Sequence, residues 1–260
     1  MALTYGKYLH LDELLAAQHP LSAGPEHDEL LFIVIHQVYE LWFKQILHEL
    51  DRLAQLLEQG DTHHALAGLR RILTILKTLV AQVDILETMT PTSFSSFRTR
   101  LATSSGFESV QFRSIEFVLG HKRETALAHY PEHSTERTLL ERRMTAPTLW
   151  DAFARYLDRQ GHPVPRELLT RDVRAPLAPS PAMQALLLEV YRRDALTAQV
   201  CERLVDLDEG LQEWRYRHVK MVERTIGEKP GSGGSSGAQY LRSTLFRPLF
   251  PDLWAIRAQL

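Results

Sequence analysis

The sequence predicts an all-α fold from three observations. Apolar residues recur at helical spacing inside long proline-free windows, no stretch alternates apolar and polar residues as a half-buried strand does, and turn residues fall between the windows. A chain of 260 residues, 44% apolar and 24% charged, can bury a sizeable core, which excludes disordered, collagen-like and low-complexity classes.

Interior prolines break helices, so their absence between Pro25 and Pro91, Pro91 and Pro131, and Pro181 and Pro230 frames the elements. Leu31, Ile35, Val38, Trp42, Ile46, Leu50, Leu53 and Leu57 mark a first long amphipathic helix. Leu66, Leu69, Leu73, Leu76, Val83 and Leu86 mark a second, and the short link from Gly60 to Thr62 makes the two antiparallel neighbours. A third helix spans Phe107 to Leu119 and stops at Gly120. Glu136 to Leu157 gives one or two shorter helices ending near Gly161. The segment from Pro163 to Pro181 holds five prolines and reads as a surface connection. Met183 to Ile226 is the longest helical pattern, with Gly210 placed to bend or divide it.

There is no internal repeat and no evident domain linker, so residues 1–260 read as a single all-helical domain. Composition shifts sharply at residues 227–237, which carry five of the 13 glycines. By composition this is either a linker or a ligand lid. Too few residues follow it for a second domain, which favours a mobile loop between packed helices.

Thirty Lys and Arg against 32 Asp and Glu leave a net charge of −2, which calls for neither nucleic acid nor an anionic membrane. The longest apolar run, Leu30 to Ile35, is far short of the roughly 20 residues of a membrane span. The first residues lack the basic start and apolar stretch of a signal peptide, and the one cysteine, Cys201, has no disulfide partner. A cytoplasmic protein with a small neutral or zwitterionic ligand is the expectation.

Two of the 12 histidines fall on apolar stripes. His218 sits among Val200, Leu204, Leu207, Leu211, Trp214, Met221 and Val222, and His36 among Phe32, Tyr39, Phe43 and Leu47. A buried imidazole needs a partner. Each is either a core histidine bonded to backbone or to a carboxylate such as Glu40, or part of a cofactor slot between helices. Haem suits such a slot, since it takes a neutral imidazole within apolar walls. Zinc suits it poorly: there is no His-Glu-x-x-His, and Pro131 breaks the helix that would align His129 with His133. Arg98, within Phe94-Ser-Ser-Phe-Arg98, is either solvated or presents its planar fork to a carboxylate. The glycine-rich loop, with Lys229 beside it, lacks the Gly-Lys-Ser/Thr ending of a nucleotide-binding loop.

Five blocks, in order, carry a resemblance. They are Tyr5-Gly-Lys-Tyr8-Leu; His27-Asp-Glu-Leu-Leu-Phe32-Ile-Val-Ile-His36-Gln-Val-Tyr-Glu-Leu-Trp-Phe-Lys; Phe97-Arg98 with Ser104-Ser105-Gly-Phe-Glu-Ser-Val-Gln-Phe112-Arg; Trp214-Arg-Tyr-Arg-His218; and Gly231-Ser-Gly-Gly-Ser-Ser-Gly237. Together they span nearly the whole chain and strongly resemble the tryptophan 2,3-dioxygenases.

That resemblance implies an all-helical homotetramer, a dimer of dimers, with one haem b per subunit, ferrous in the active form, and O2 as co-substrate. It implies that His218 is the axial iron ligand, with Ser105 and Trp214 beside the haem. His36 would contact the indole N–H, Arg98 would pair with the substrate carboxylate, and Phe32, Phe94 and Phe112 would line the indole pocket. Tyr5 and Tyr8, in the N-terminal segment 1–25, would reach into a neighbouring subunit's site. The loop at 227–237 would close over substrate.

One departure is Ser232, where the family usually has threonine; serine keeps the hydroxyl and loses the stiffness of a β-branched side chain. The implied reaction is cleavage of the C2–C3 bond of L-tryptophan's indole to N-formylkynurenine. The alternatives are a related haem oxygenase acting on a modified tryptophan, for example a methylated one, a mono-oxygenating relative, or a haem or amino-acid sensor without turnover.

Overall fold

The computed structural model describes residues 2–24, 26–102, 104, 106–230 and 237–260. The described residues form α-helices and short 3-10 turns with no strand. In chain order the helices are α1 (Tyr5–Leu9), α2 (Leu11–Leu15), α3 (His27–Gln59), α4 (Thr62–Leu86), α5 (Pro91–Arg98), α6 (Val110–Val118), α7 (Thr135–Thr145), α8 (Leu149–Arg159), α9 (Arg166–Leu169), α10 (Pro181–Arg193), α11 (Ala195–Ile226), α12 (Ala238–Arg242) and α13 (Pro251–Ala255).

The hairpin of α3 and α4 turns where expected. Gly60 ends α3 at φ 77°, a conformation that favours glycine, and a β-carbon there would lie 2.8 Å from Arg159 Cδ. Asp61 then accepts a hydrogen bond from His64 N at 3.2 Å and starts α4. The apolar stripes of α3 and α4 meet through Leu50, Leu53, Leu57, Leu69 and Ile72, all fully buried. Each such side chain contributes about 1.5–3 kcal/mol relative to leaving it in water. α8 covers α3 on another side with Phe153 and Leu157. α4 packs along both α3 and α11, whereas α3 and α11 scarcely meet through their backbones. The space between those two long helices is spanned by side chains, and there the site lies.

The longest predicted element differs. Residues 181–226 form two helices broken at Asp194, and Gly210 lies in the interior of α11. Asp194 is extended (φ −133°, ψ 86°), accepts from Thr197 N at 3.0 Å, and pairs with His162 Nε2 at 3.0 Å. A carboxylate capping the first turn of α11 ends one helix and starts the next without altering apolar periodicity. Gly210 faces α4, where an added β-carbon would stand 3.5 Å from Leu76 Cδ1. The shorter helices also sharpen. Pro147 separates α7 from α8, which opens with a capping box of Thr148 and Asp151. α6 starts at Ser109, whose hydroxyl accepts from Phe112 N at 3.1 Å. Among the described residues, α3 is the one helix long and apolar enough to cross a membrane by length and composition. Here its stripe of Ile35, Phe43, Ile46 and Leu50 is buried in the protein core.

Candidate active site

A cavity of about 480 Å³ opens between α3, the end of α4, α5, α6 and α11, with α12 at its edge. Phe32, His36, Phe94, Arg98, Phe112, Trp214 and His218 all line it, so seven of the eleven candidate residues converge on one space. Tyr5 and Tyr8 do not reach the cavity of their own chain; they stand on α1, 75% and 69% exposed. Ser105 and Ser232 lie outside the described residues, as does most of the glycine-rich loop. Gly237, the loop's last residue, touches the cavity.

On α3, Phe32, His36, Tyr39, Glu40 and Phe43 face the cavity because they recur at intervals of three or four. His36 Nδ1 lies 2.7 Å from the Phe32 carbonyl oxygen. A carbonyl can only accept, so Nδ1 carries the proton and the neutral ring offers Nε2 as a lone pair. The Phe32 ring packs 4.1 Å from the imidazole, centroid to centroid. Burial lowers the pKa of His36, with the Phe32 carbonyl and the charge of Glu40 opposing it.

On α11, Trp214 and His218 are one turn apart and stack with centroids 5.3 Å apart and planes at 11°. Trp214 is braced by Phe112 at 4.9 Å and Phe43 at 6.1 Å. Neither nitrogen of His218 has a hydrogen-bond partner among the described residues, and the ring is half-buried against the cavity. Burial, helped by the nearby His36, pushes its pKa down to about 4, so at neutral pH it is an uncharged, unengaged imidazole.

α5 begins with Thr90 accepting from Ser93 N at 3.1 Å and with Pro91 in its first turn. Phe94 and Phe97 are thereby buried, and Arg98, one turn beyond Phe94, lies at the cavity rim. Arg98 Nη2 donates to the Pro230 carbonyl at 2.5 Å, and Arg98 has no carboxylate partner among the described residues. The other cavity arginines, Arg113 and Arg215, are tied to Glu116.

Sequence reading missed that carboxylate and its arginines, as well as Thr225 and Ile226, which lie beyond Met221 and Val222 on the wall that carries the His218 stripe. Thr225 and Ile226 were within reach, because they continue that stripe at helical intervals.

The whole defines an α-helical protein with an apolar slot, two neutral imidazoles on facing helices, and an arginine at the rim able to hold a carboxylate. Such a slot suits a planar cofactor bound through one imidazole, together with a small aromatic amino acid. The tryptophan 2,3-dioxygenase family profile matches residues 1–162 and 130–260. The tryptophan 2,3-dioxygenase of Herpetosiphon aurantiacus is 63% identical over 100% of this chain and 99% of its own length. That of Anaeromyxobacter sp. is 60% identical (100% and 97%), and that of Caulobacter vibrioides 47% (99% and 98%). The chain belongs to the tryptophan 2,3-dioxygenase family.

Proposed function

We propose that this chain inserts both atoms of O2 across the C2–C3 bond of the indole of L-tryptophan, giving N-formylkynurenine. Both oxygen atoms end in the product, so the overall reaction needs no external reductant. The observation that carries the reading is the unengaged, neutral His218 facing a cavity that also holds His36 and Arg98. Relatives carrying the dioxygenase name at 63% and 60% identity support turnover of tryptophan over a sensor role or a modified substrate.

The residues present fit haem b. His218 would hold the iron through its free nitrogen, with Trp214 stacked on the imidazole to fix the ring plane. When bound, haem supplies the redox chemistry that activates O2. His36 Nε2 accepts from the indole N–H and orients the ring, since Nδ1 is committed to Phe32. Arg98 pairs with the carboxylate, exchanging a carbonyl partner for a charged one. Phe32, Phe94 and Phe112 wall the indole with apolar surface that excludes water. Ser105 is assigned a place near the haem and Ser232 a place against the substrate, both from family likeness.

The same reading makes the chain one domain and a cytoplasmic homotetramer. The exposed Leu3, Tyr5, Tyr8 and Leu15 of the N-terminal segment support docking of that segment on a neighbouring subunit.

Haem-reconstituted, reduced protein given L-tryptophan and 18O-labelled O2 tests the reading by mass spectrometry. N-formylkynurenine carrying two labelled atoms is expected. One labelled atom, or a haem-loaded protein that yields no product, overturns it.

A further inference from the structure

The cavity has a second polar feature, well removed in sequence from Arg98. Glu116, on α6 one turn after Phe112, is 2% exposed. Its Oε2 accepts from Arg113 Nη1 at 2.5 Å and from Arg123 Nη2 at 2.7 Å, and its Oε1 accepts from Arg215 Nη2 at 3.0 Å. Arg215 reaches further, donating through Nη1 to the Thr244 carbonyl at 3.1 Å and lying 3.2 Å from His121 Nδ1. Arg113, Glu116 and Arg215 line the cavity; Arg123 does not.

This cluster is the polar link between two elements that otherwise meet through apolar side chains. α6 carries Phe112 and α11 carries Trp214 and His218, yet the two helices have no extended backbone packing because the cavity lies beside them. Their separation is set by side chains: Ile115 against the core shared with Leu207 and Leu211, the Phe112–Trp214 ring contact, and the bridge from Glu116 to Arg215. Apolar contacts are non-directional, and an aromatic pair accepts offset or edge-to-face arrangements over a range of centroid distances. A buried carboxylate that accepts from three guanidinium groups, one of which also donates to the Thr244 carbonyl, is held by directional charge-assisted bonds at both oxygens. Burying three charges, Arg113, Glu116 and Arg215, on the cavity wall also carries a large desolvation penalty that well-packed apolar residues would avoid, so a gain in stability alone does not account for it.

We propose that Glu116 is a positioning residue for the reaction. Through Arg215 it sets the spacing between the Phe112 wall and the turn of α11 that bears His218, and so the placement of the indole relative to the axial imidazole. The inference rests on the function proposed above.

The test uses the full chain loaded with haem. Glu116→Gln preserves shape and removes the charge. Haem content should stay within about 20% of the unaltered protein, kcat should fall at least tenfold, and KM for L-tryptophan should change less than threefold. The iron–imidazole stretching band in the resonance Raman spectrum of the reduced protein should shift or broaden. Arg215→Lys, which keeps charge and loses the fork, should act in the same direction. Arg123→Gln removes an ion pair from the same carboxylate but from outside the cavity wall, and should leave kcat and the band within twofold. In the Glu116→Gln, Arg215→Gln double variant an amide pair replaces the ion pair, and kcat should recover above that of Glu116→Gln alone.

Haem-loaded Glu116→Gln with kcat and band within twofold of the unaltered protein overturns the proposal. So does an equal effect of Arg123→Gln, which would mark the cluster as a stabilising element only. Should Glu116→Gln fail to fold, Arg215→Lys carries the same comparison with the same outcomes. Failure of the unaltered protein to bind haem or form product refutes the function itself, and is thereby distinct from failure of the variant comparison.

Discussion

Replacing Arg98 separates recognition of the amino-acid carboxylate from recognition of the indole. Arg98 is half-buried at the cavity rim and makes one hydrogen bond among the described residues, to the Pro230 carbonyl. That bond is worth about 1 kcal/mol, as for hydrogen bonds generally, whereas bonds between a guanidinium and a carboxylate contribute about 1.5–3 kcal/mol each. Two such bonds, less the exchanged carbonyl bond and some residual solvation at the rim, leave about 3 kcal/mol for substrate binding. That corresponds to a factor of ~150, at 1.4 kcal/mol per tenfold.

Arg98→Gln should therefore lower kcat/KM for L-tryptophan by about 100-fold, with haem content unchanged. Arg98→Lys, which keeps the charge and loses the fork, should fall between the two. Tryptamine has the same indole and ammonium without the carboxylate. Its kcat/KM, or its dissociation constant where turnover is too slow, should be unchanged or improved by Arg98→Gln, because its ammonium no longer faces a cation. An equal loss for both compounds would refute the assignment, since the arginine would then be acting on the cavity and not on the carboxylate.

Three further predictions follow from named contacts. His218→Ala should abolish stable haem binding, read as loss of the Soret band after gel filtration, whereas His36→Ala should retain the band with reduced turnover. Gly210→Ala should stabilise the chain by roughly 1 kcal/mol in urea unfolding, because alanine favours the helix interior and its methyl group meets Leu76 at an ordinary 3.5 Å. His121 has its pKa pushed down to about 4, first by burial and then by Arg215. Between pH 6.5 and 4 the unfolded chain binds a proton there that the folded chain does not, so stability falls as pH drops through that window. The loss approaches about 3 kcal/mol at the lower end. His121→Asn should flatten this acid limb while leaving stability near pH 7.5 within about 1 kcal/mol, and an unchanged limb would discount His121 as its source.

The long helices were legible because burial of one face imposes a period on sequence, and the α3–α4 hairpin because only a short glycine turn separates two such patterns. The break at Asp194 was not, since a cap acts through one side chain and leaves the period intact. His36 and His218 stood out as polar residues on apolar stripes, but periodicity could not choose between a core histidine and a ligand. That choice needed the finding that His36 bonds its own helix through Nδ1 while His218 bonds nothing among the described residues. Glu116 was invisible for a different reason. Its meaning lies in Arg215, 99 residues away, just as the partner of Arg98 among the described residues is the carbonyl of Pro230, 132 residues away. Pairings across such separations leave no local signal, and naming haem and tryptophan required the resemblance of whole blocks.

The distribution of charge explains why one cavity can serve both histidines. An imidazole can bind iron or accept from an indole N–H only while uncharged. Burial depresses the pKa of both rings and keeps them so at neutral pH. The same low-polarity surroundings would penalise any unpaired charge, and charged groups on the cavity wall are accordingly tied to polar partners. Arg113 and Arg215 are bound to Glu116, and Glu40 accepts from Gln111 Nε2 at 2.9 Å. Arg98, held by a neutral carbonyl alone among the described residues, is the cation left to be satisfied by an incoming anion. A carboxylate on the ligand supplies that partner, which is why an indole bearing a carboxylate fits this site better than indole by itself.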